Sequence, residues 1–367
     1  MTRYARSLPA RTRTASPDRD PLVADAAGDS PLVLVVADPE AYLLPEPALR
    51  LVANLAGRTE FDALLPVTNE PESEETRYAP PFAYPTPTLL AEAAALAAAS
   101  TAPIRKALSP ASPAYAVRRS VLSTLPTDLP LRDVPRQAAA KGFIVGVDPG
   151  AYLHRYGAMD ASAREDLASR VPQAARSVLD VGCSRGATAP ALRARGVTTI
   201  VGIEPDAEDA AAAARVYDRV LACRLDEVAE DFAGRFDAIL FGDVLEHLAD
   251  PSDALERVRP WLSKNGRLVA SVPNAGHWSV VDDLIRGRFD YVPYGLLSGT
   301  HLRLFTRRSL EDLFAASGFL VETIDTVALP SSPEGDRRRA LLAAFPGASF
   351  DLDAAEFIAV ARADRGR

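Results

Sequence analysis

The fold turns on residues 177–206. They read Ser177-Val-Leu-Asp180-Val-Gly182-Cys183-Ser-Arg-Gly186, then Ala-Thr-Ala-Pro-Ala-Leu-Arg-Ala-Arg-Gly196, then Val-Thr-Thr-Ile-Val-Gly-Ile203-Glu204-Pro-Asp206. A short apolar run ends in a Gly-x-x-x-Gly loop, a helical pattern follows, and a second apolar run ends in an acid. That order predicts one strand–loop–helix–strand unit with Glu204 at the carboxyl end of its second strand. Glycines in the loop let a ligand approach the backbone where a Cβ would collide. An acid about twenty residues beyond such a loop is placed to accept hydrogen bonds from both hydroxyls of a ribose. The loop lacks the middle glycine of Gly-x-Gly-x-x-Gly, and Asp180 precedes it. A pyrophosphate prefers neutral backbone donors, so an acid here favours a ligand carrying a positive group; a dinucleotide is the competing ligand.

The stretch resembles the first motif of class I S-adenosylmethionine-dependent methyltransferases, whose cofactor carries a ribose, an amino-acid tail and a sulfonium. The resemblance implies an α/β, Rossmann-like sheet with helices on both faces, and S-adenosylmethionine as cofactor. It places Asp180, Gly182, Cys183 and Gly186 beside the amino-acid tail and backbone, and Glu204 on the ribose. Cys183 also reads simply as a small packed residue within the loop. Asp226 is the expected partner of the adenine amine, with Arg224 as the other residue that fits that place.

Further along, Phe236 to Phe241 reads as the fourth strand of such a sheet. Directly after it stand Asp243, Glu246 and His247, at the i, i+3, i+4 spacing that one helical turn gathers on one face. Asp243 joins the expected cofactor-binding set, because the loop after the fourth strand faces the methyl group in this fold. The Leu-Glu-His segment resembles ubiquinone-type O-methyltransferases, and this resemblance implies that Asp243, Glu246 and His247 are able to hold magnesium or manganese. The competing reading has no metal: Asp243 caps a helix, Glu246 returns the bond as a capping box, and His247 lines the cofactor pocket.

Three of the four histidines, His247, His277 and His301, fall in loops after strands or in the segment between the fifth strand and the next helix. A neutral imidazole takes a proton from a hydroxyl near neutral pH, so these three are the catalytic candidates, His277 first. Each also reads as a buried structural histidine. The stretch 275–300 looks irregular, with Trp278, Phe289, Tyr291 and Tyr294 forming an aromatic cover, a water-excluding lid or an oligomer contact. A helix over Ser309 to Ser317, capped by Gly318, and strands over Leu320 to Asp325 and Glu356 to Ala361 complete the expected sheet.

The first 156 residues read differently. Residues 1–30 have no periodicity and are expected to be a disordered tail. Leu32 to Val36, Ala63 to Val67, Pro113 to Val117 and Phe143 to Val147 read as strands, with helices over Pro45 to Ala56 and Leu89 to Ser100. This order is similar to the second half of a GT-A, family 2 glycosyltransferase. Asp38-Pro-Glu40 stands at the metal-binding position, Asp133 at that of the base, and His154 at the end of the closing strand. The half that holds a nucleotide base is absent from the pattern, so 31–156 is expected to be a truncated, inactive module. Residues 157–175 read as a linker and helix, with Asp160 or Ser162 as its cap, and 176–367 as the methyltransferase domain.

Composition sets the outer limits. The chain has 367 residues, 48% hydrophobic and 25% charged, with a net charge of −8. A sizeable core is affordable, and a nucleic-acid partner is not expected. The two cysteines give neither a disulfide framework nor a zinc set. No long apolar run predicts a membrane span, and the N-terminus lacks a secretory apolar region, so the chain is expected in the cytoplasm. The expected activity is O-methylation of a small-molecule or glycan hydroxyl. The alternatives are a cofactor-binding scaffold without turnover and an active glycosyltransferase–methyltransferase fusion.

Overall fold

The structure, a computed structural model, describes residues 22–25, 31–38, 41–69, 71–80, 86–155, 164–292, 295–345 and 351–366. The chain divides into two compact units, Met1–Gly157 and Ala158–Arg367.

The first unit is built from β1 (Leu22–Asp25), β2 (Leu32–Val36), β3 (Ala41–Leu43), α1 (Pro45–Gly57), β4 (Ala63–Thr68), α2 (Pro87–Ala98), β5 (Arg105–Lys106), β6 (Ala114–Arg118), α3 (Arg119–Leu122), α4 (Val134–Ala140) and β7 (Val145–Arg155). Its sheet runs β1-β2-β6-β4-β7-β3, with β5 on β7. Only β4 and β7 are parallel neighbours among the described strands. Leu51 and Leu55 of α1 pack on Leu64, Ala116 and Ala151 of the sheet. Two expectations need correction. Residues 22–25 pair with β2, so they are strand and not tail; the remaining residues of 1–30 lie outside the described set. β7 is also longer than the run Phe143 to Val147, continuing through Pro149 to Arg155. The register with β4 shifts between Pro66 and Val67, and a bulge is where a strand accommodates a proline that cannot donate to the ladder.

The second unit contains α5 (Glu165–Arg170), β8 (Ser177–Val181), α6 (Ala189–Ala194), β9 (Thr199–Ile203), α7 (Ala207–Ala213), β10 (Arg219–Leu221), β11 (Phe236–Gly242), α8 (Pro251–Val258), β12 (Leu262–Pro273), α9 (Trp278–Ile285), α10 (Arg307–Ala316), β13 (Phe319–Ala328), α11 (Pro333–Ala343) and β14 (Ala354–Ala363). The sheet order is β10-β9-β8-β11-β12-β14-β13. The first five run parallel and β14 is antiparallel to both its neighbours. Alternation along each strand feeds two cores, as a period of two requires. Leu179, Ile239 and Phe241 meet α8 and α10 through Leu255, Val258, Leu310 and Phe314. Val178, Ala238 and Leu240 meet α5, α6 and α7 through Leu167, Leu192 and Ala213. The unit is therefore a Rossmann-like α/β layer with helices on both faces, closed by the antiparallel pair β13 and β14.

The stretch 275–300 is not irregular throughout. It holds α9, whose Trp278 is buried, and an alanine Cβ at Gly335 of α11 would lie 2.8 Å from the Trp278 ring. Phe289 and Tyr291 stand edge to face and exposed, and Tyr294 lies outside the described residues. Asp160 and Ser162 also lie outside them, and α5 begins after Arg164. No helix among the described residues is long and apolar enough to cross a membrane.

Candidate functional site

In a parallel sheet the loops at the carboxyl ends of the strands form the ligand crevice. The second unit brings Asp180 and Gly182, Glu204, Asp243 and Asn274 to that edge, at the ends of β8, β9, β11 and β12. The glycine loop is clamped against β9, since the N–H groups of Gly182 and Cys183 both donate to the Ile203 carbonyl, at 2.8 and 3.2 Å. Gly182 sits at φ +70° and Gly186 at φ +83°. A Cβ on Gly182 would lie 2.5 Å from Val244 Cγ2, so the position is closed to other residues by both conformation and contact. Ser184 holds a similar φ of +44° without being glycine.

Glu204 is buried. One carboxylate oxygen accepts the Ser184 N–H and the other the Asp206 N–H, each at 2.9 Å. Each oxygen keeps a lone pair for a further donor, so the carboxylate is fixed in direction and still able to bind a pair of hydroxyls. Asp180 is buried too, and its Oδ2 accepts the Tyr217 hydroxyl. Burial pushes its carboxyl up to about 6, against the downward pull of the tyrosine bond and the Arg164 charge. Cys183 is buried in the loop, its thiol pushed well up by burial and by Asp180 and Glu204, which makes it an inert packing residue. Asp226 is exposed and bonded at 3.0 Å to Arg224, so the two residues expected to compete for one place hold each other.

The loop after β11 departs from its sequence reading. Asp243 has φ +54°, which turns the chain before a single helical turn that starts only at Leu245. Asp243 therefore neither caps that turn nor shares a face with Glu246 and His247. Its backbone N–H donates to Ser271 Oγ at 3.0 Å, whose hydroxyl returns a bond to Asp243 Oδ1 at 2.8 Å. Its other oxygen is held by the Arg164 guanidinium.

Arg164 is the site residue that the sequence reading missed. It bonds Asp166 at 3.0 and 2.8 Å, Ser271 at 3.1 Å and Glu356 of β14 at 2.5 Å, in addition to Asp243. Its acidic partners keep it charged despite burial. Glu246 lies nearby, 1% exposed, with neither carboxylate oxygen hydrogen-bonded among the described residues. Burial, then the charges of Asp243 and Glu356, push it up to about 9. Burial and Asp243 likewise push Glu356 up to about 7.

The histidines separate into two kinds. His277 is buried and N-caps α9: its Nδ1 lies 3.4 Å from the Ser279 N–H and 2.8 Å from the Ser279 hydroxyl. The lone pair on Nδ1 is thereby used, and burial pushes the ring down to about 4. His247 and His301 stand edge to face with centroids 4.9 Å apart. Their Nδ1 atoms lie 3.1 Å from the Thr300 carbonyl and 3.2 Å from the Leu296 carbonyl. A carbonyl only accepts, so in each ring Nδ1 carries the proton and the neutral ring has its lone pair on Nε2. The histidines and Glu246 offer ligand atoms within 4.8 Å of one another. Among the described residues the trio with metal-ligand spacing is thus Glu246, His247 and His301, with His301 in the place expected of Asp243.

In the first unit, Asp133 pairs with Arg136 at 2.8 Å. His154 is buried on β7 and pushed down to about 4. Glu40 lies outside the described residues.

Comparison with known proteins adds the following. Residues 152–324 match the family model of a methyltransferase domain. The mitochondrial ubiquinone biosynthesis O-methyltransferase of Homo sapiens is 26% identical over 164 residues, 42% of this chain and 44% of that protein. The tRNA 5-carboxymethoxyuridine methyltransferase of Escherichia coli K12 is 34% identical over 137 residues, 35% of this chain and 52% of that protein. The ubiquinone biosynthesis O-methyltransferase of Roseobacter denitrificans is 33% identical over 161 residues, covering 42% and 63%. The chain thus spans about half the length of these relatives. A solved Thermotoga maritima S-adenosylmethionine-dependent methyltransferase, a possible histamine N-methyltransferase, aligns over 55% of this chain and 88% of its own at 16% identity, with a TM-score of 0.40. The strand order, the acid–glycine loop and the matched residues 152–324 agree, so most of the second unit is similar to a methyltransferase domain.

Proposed function

We propose that the protein transfers the methyl group of S-adenosylmethionine to a hydroxyl oxygen of its acceptor. The observation that carries this reading is Glu204, a buried carboxylate fixed by two backbone N–H groups beside the glycine loop, with lone pairs still available. The donor set fits the cofactor: Glu204 suits ribose hydroxyls, and the ionised Asp180 suits the ammonium of the amino-acid tail. The cofactor, when bound, supplies a methyl already activated on a sulfonium. The chain's own task is then to align the acceptor and take up its proton. Nε2 of His247 or His301 is the proton acceptor in this reading, because each ring has its lone pair there. His277, first among the candidates by sequence, spends its lone pair on the α9 cap.

A second reading shares those atoms. Glu246, His247 and His301 suit a divalent cation, through one carboxylate and two imidazoles. A metal on Nε2 displaces the base role, so the two readings exclude each other, and loss of turnover on chelation, restored by manganese, selects the metal.

The acceptor class rests on less. The glycan acceptor follows from the glycosyltransferase resemblance of 31–156 alone, and the family match begins at residue 152. One relative is named for a tRNA substrate, so the expectation of no nucleic-acid partner is withdrawn and RNA stands among the acceptors to assay.

Calorimetric titration with S-adenosylhomocysteine tests the reading. Glu204→Ala is expected to weaken binding by about 3 kcal/mol, roughly a hundredfold, through two lost charge-assisted bonds. An unchanged affinity in the variant, or no binding by the native chain, overturns it.

A further inference from the structure

Asp180 has one oxygen engaged and one open. Oδ2 accepts the Tyr217 hydroxyl, and Oδ1 takes no hydrogen bond among the described residues. Tyr217 is buried between α7 and β10, with the Thr188 side chain, at the N-cap of α6, acting on its hydroxyl. The surroundings hold that ring in place. A Cβ on Gly202 of β9 would lie 2.5 Å from Cys183 Sγ and 2.8 Å from Tyr217 Cδ2. Gly202, Cys183, Tyr217 and Asp180 therefore form one packed group that links the second strand to the glycine loop. Nothing in the motif itself calls for the tyrosine, which stands 37 residues beyond the acid it serves.

We propose that Tyr217 is the positioning residue of the cofactor site: by holding one oxygen of Asp180 it aims the other at the amino-acid ammonium and keeps the carboxylate ionised. This rests on the cofactor reading given above. The groups whose charges act on Asp180 are few. Arg164 and the Tyr217 hydroxyl favour its ionised form, while burial and Glu204 oppose it. Removing the hydroxyl takes away one of the two favourable influences and leaves burial unchanged. Asp180 then takes up a proton at a higher pH, and an ammonium loses its counter-charge there.

The experiment measures the dissociation constant of S-adenosylhomocysteine between pH 5 and 9 for the native chain, Tyr217→Phe and Thr188→Val. 5′-Methylthioadenosine, which lacks the amino-acid tail, is titrated in parallel. In the native chain, S-adenosylhomocysteine affinity should fall as pH drops through about 6, where Asp180 titrates, and methylthioadenosine affinity should not. In Tyr217→Phe that fall should move up by about one pH unit, which weakens binding about twofold at pH 7 and nearly tenfold at pH 5, and leaves it near native at pH 9. Thr188→Val should move it in the same direction by less, and as a half-exposed position it serves if Tyr217→Phe does not fold. Equal losses at every pH, or equal losses for both ligands, would show a purely structural tyrosine and overturn the inference. Absence of binding by the native chain would instead overturn the cofactor reading.

Discussion

Ser184 occupies the left-handed region at φ +44° with a buried hydroxyl that has no hydrogen-bond partner among the described residues. A non-glycine residue there costs about 1 kcal/mol, and an orphaned hydroxyl about as much again. Ser184→Gly removes both while keeping the N–H that donates to Glu204. It is expected to stabilise the second unit by about 1 kcal/mol, seen as a higher midpoint in urea with an unchanged slope. Gly182→Ala should do the reverse. Its φ of +70° and the 2.5 Å approach of Val244 predict a loss of about 2 kcal/mol in the same measurement. The glycine loop was legible because its residue types are forced by backbone geometry. Asp243 was not, because the +54° turn that takes it off the face of Glu246 and His247 has no marker in an aspartate.

At the scale of elements, Arg164 joins α5, β11, β12 and β14 through one guanidinium. Arg164→Met leaves Asp243, Glu246 and Glu356 as a group of acids with no cation among them. The variant is expected to lose about 2 kcal/mol of stability, less than a fully buried pair would because Asp243 is 42% exposed. The loss should shrink in acid, where the carboxyls protonate, and a urea titration at pH 5 and pH 8 checks both points. No local pattern announces Arg164, since its partners Asp243 and Glu356 lie 79 and 192 residues away and only Asp166 is near it in sequence. Most strands, by contrast, were legible as apolar runs, though Leu22–Asp25, Ala41–Leu43 and Arg105–Lys106 were not. α9 was hidden for a different reason: Trp278-Ser-Val-Val-Asp-Asp-Leu-Ile285 is short and follows a Pro-Asn-Ala-Gly segment, and its cap is a histidine where a serine or aspartate is usual.

For the whole molecule, each unit holds one buried neutral histidine, His154 in the first and His277 in the second, both pushed from 6.5 down to about 4 by burial. Above pH 6.5 the rings are neutral folded or unfolded, and the stability they protect is fully present. Between about 6.5 and 4 the unfolded chain binds protons that the folded chain refuses, so stability falls with pH by at most about 3 kcal/mol per histidine. Replacing His277 with Asn should flatten that dependence for the second unit and leave it in the first, as read by hydrogen exchange resolved by segment. The apolar runs that form the sheet of the second unit were foreseeable from pattern. The antiparallel pairings of the first unit were not, since strand runs carry no direction.

β14 lies between β12 and β13 although it follows both in the chain. On the ribosome, β13 emerges before β14, its sole sheet neighbour among the described residues, exists, and β12 waits with one edge bare. The acid of β14 that meets Arg164 also arrives late. Vectorial synthesis therefore leaves two open hydrogen-bonding edges until the closing strand threads between them, and this interval is when the nascent domain is most exposed to pairing with a neighbour.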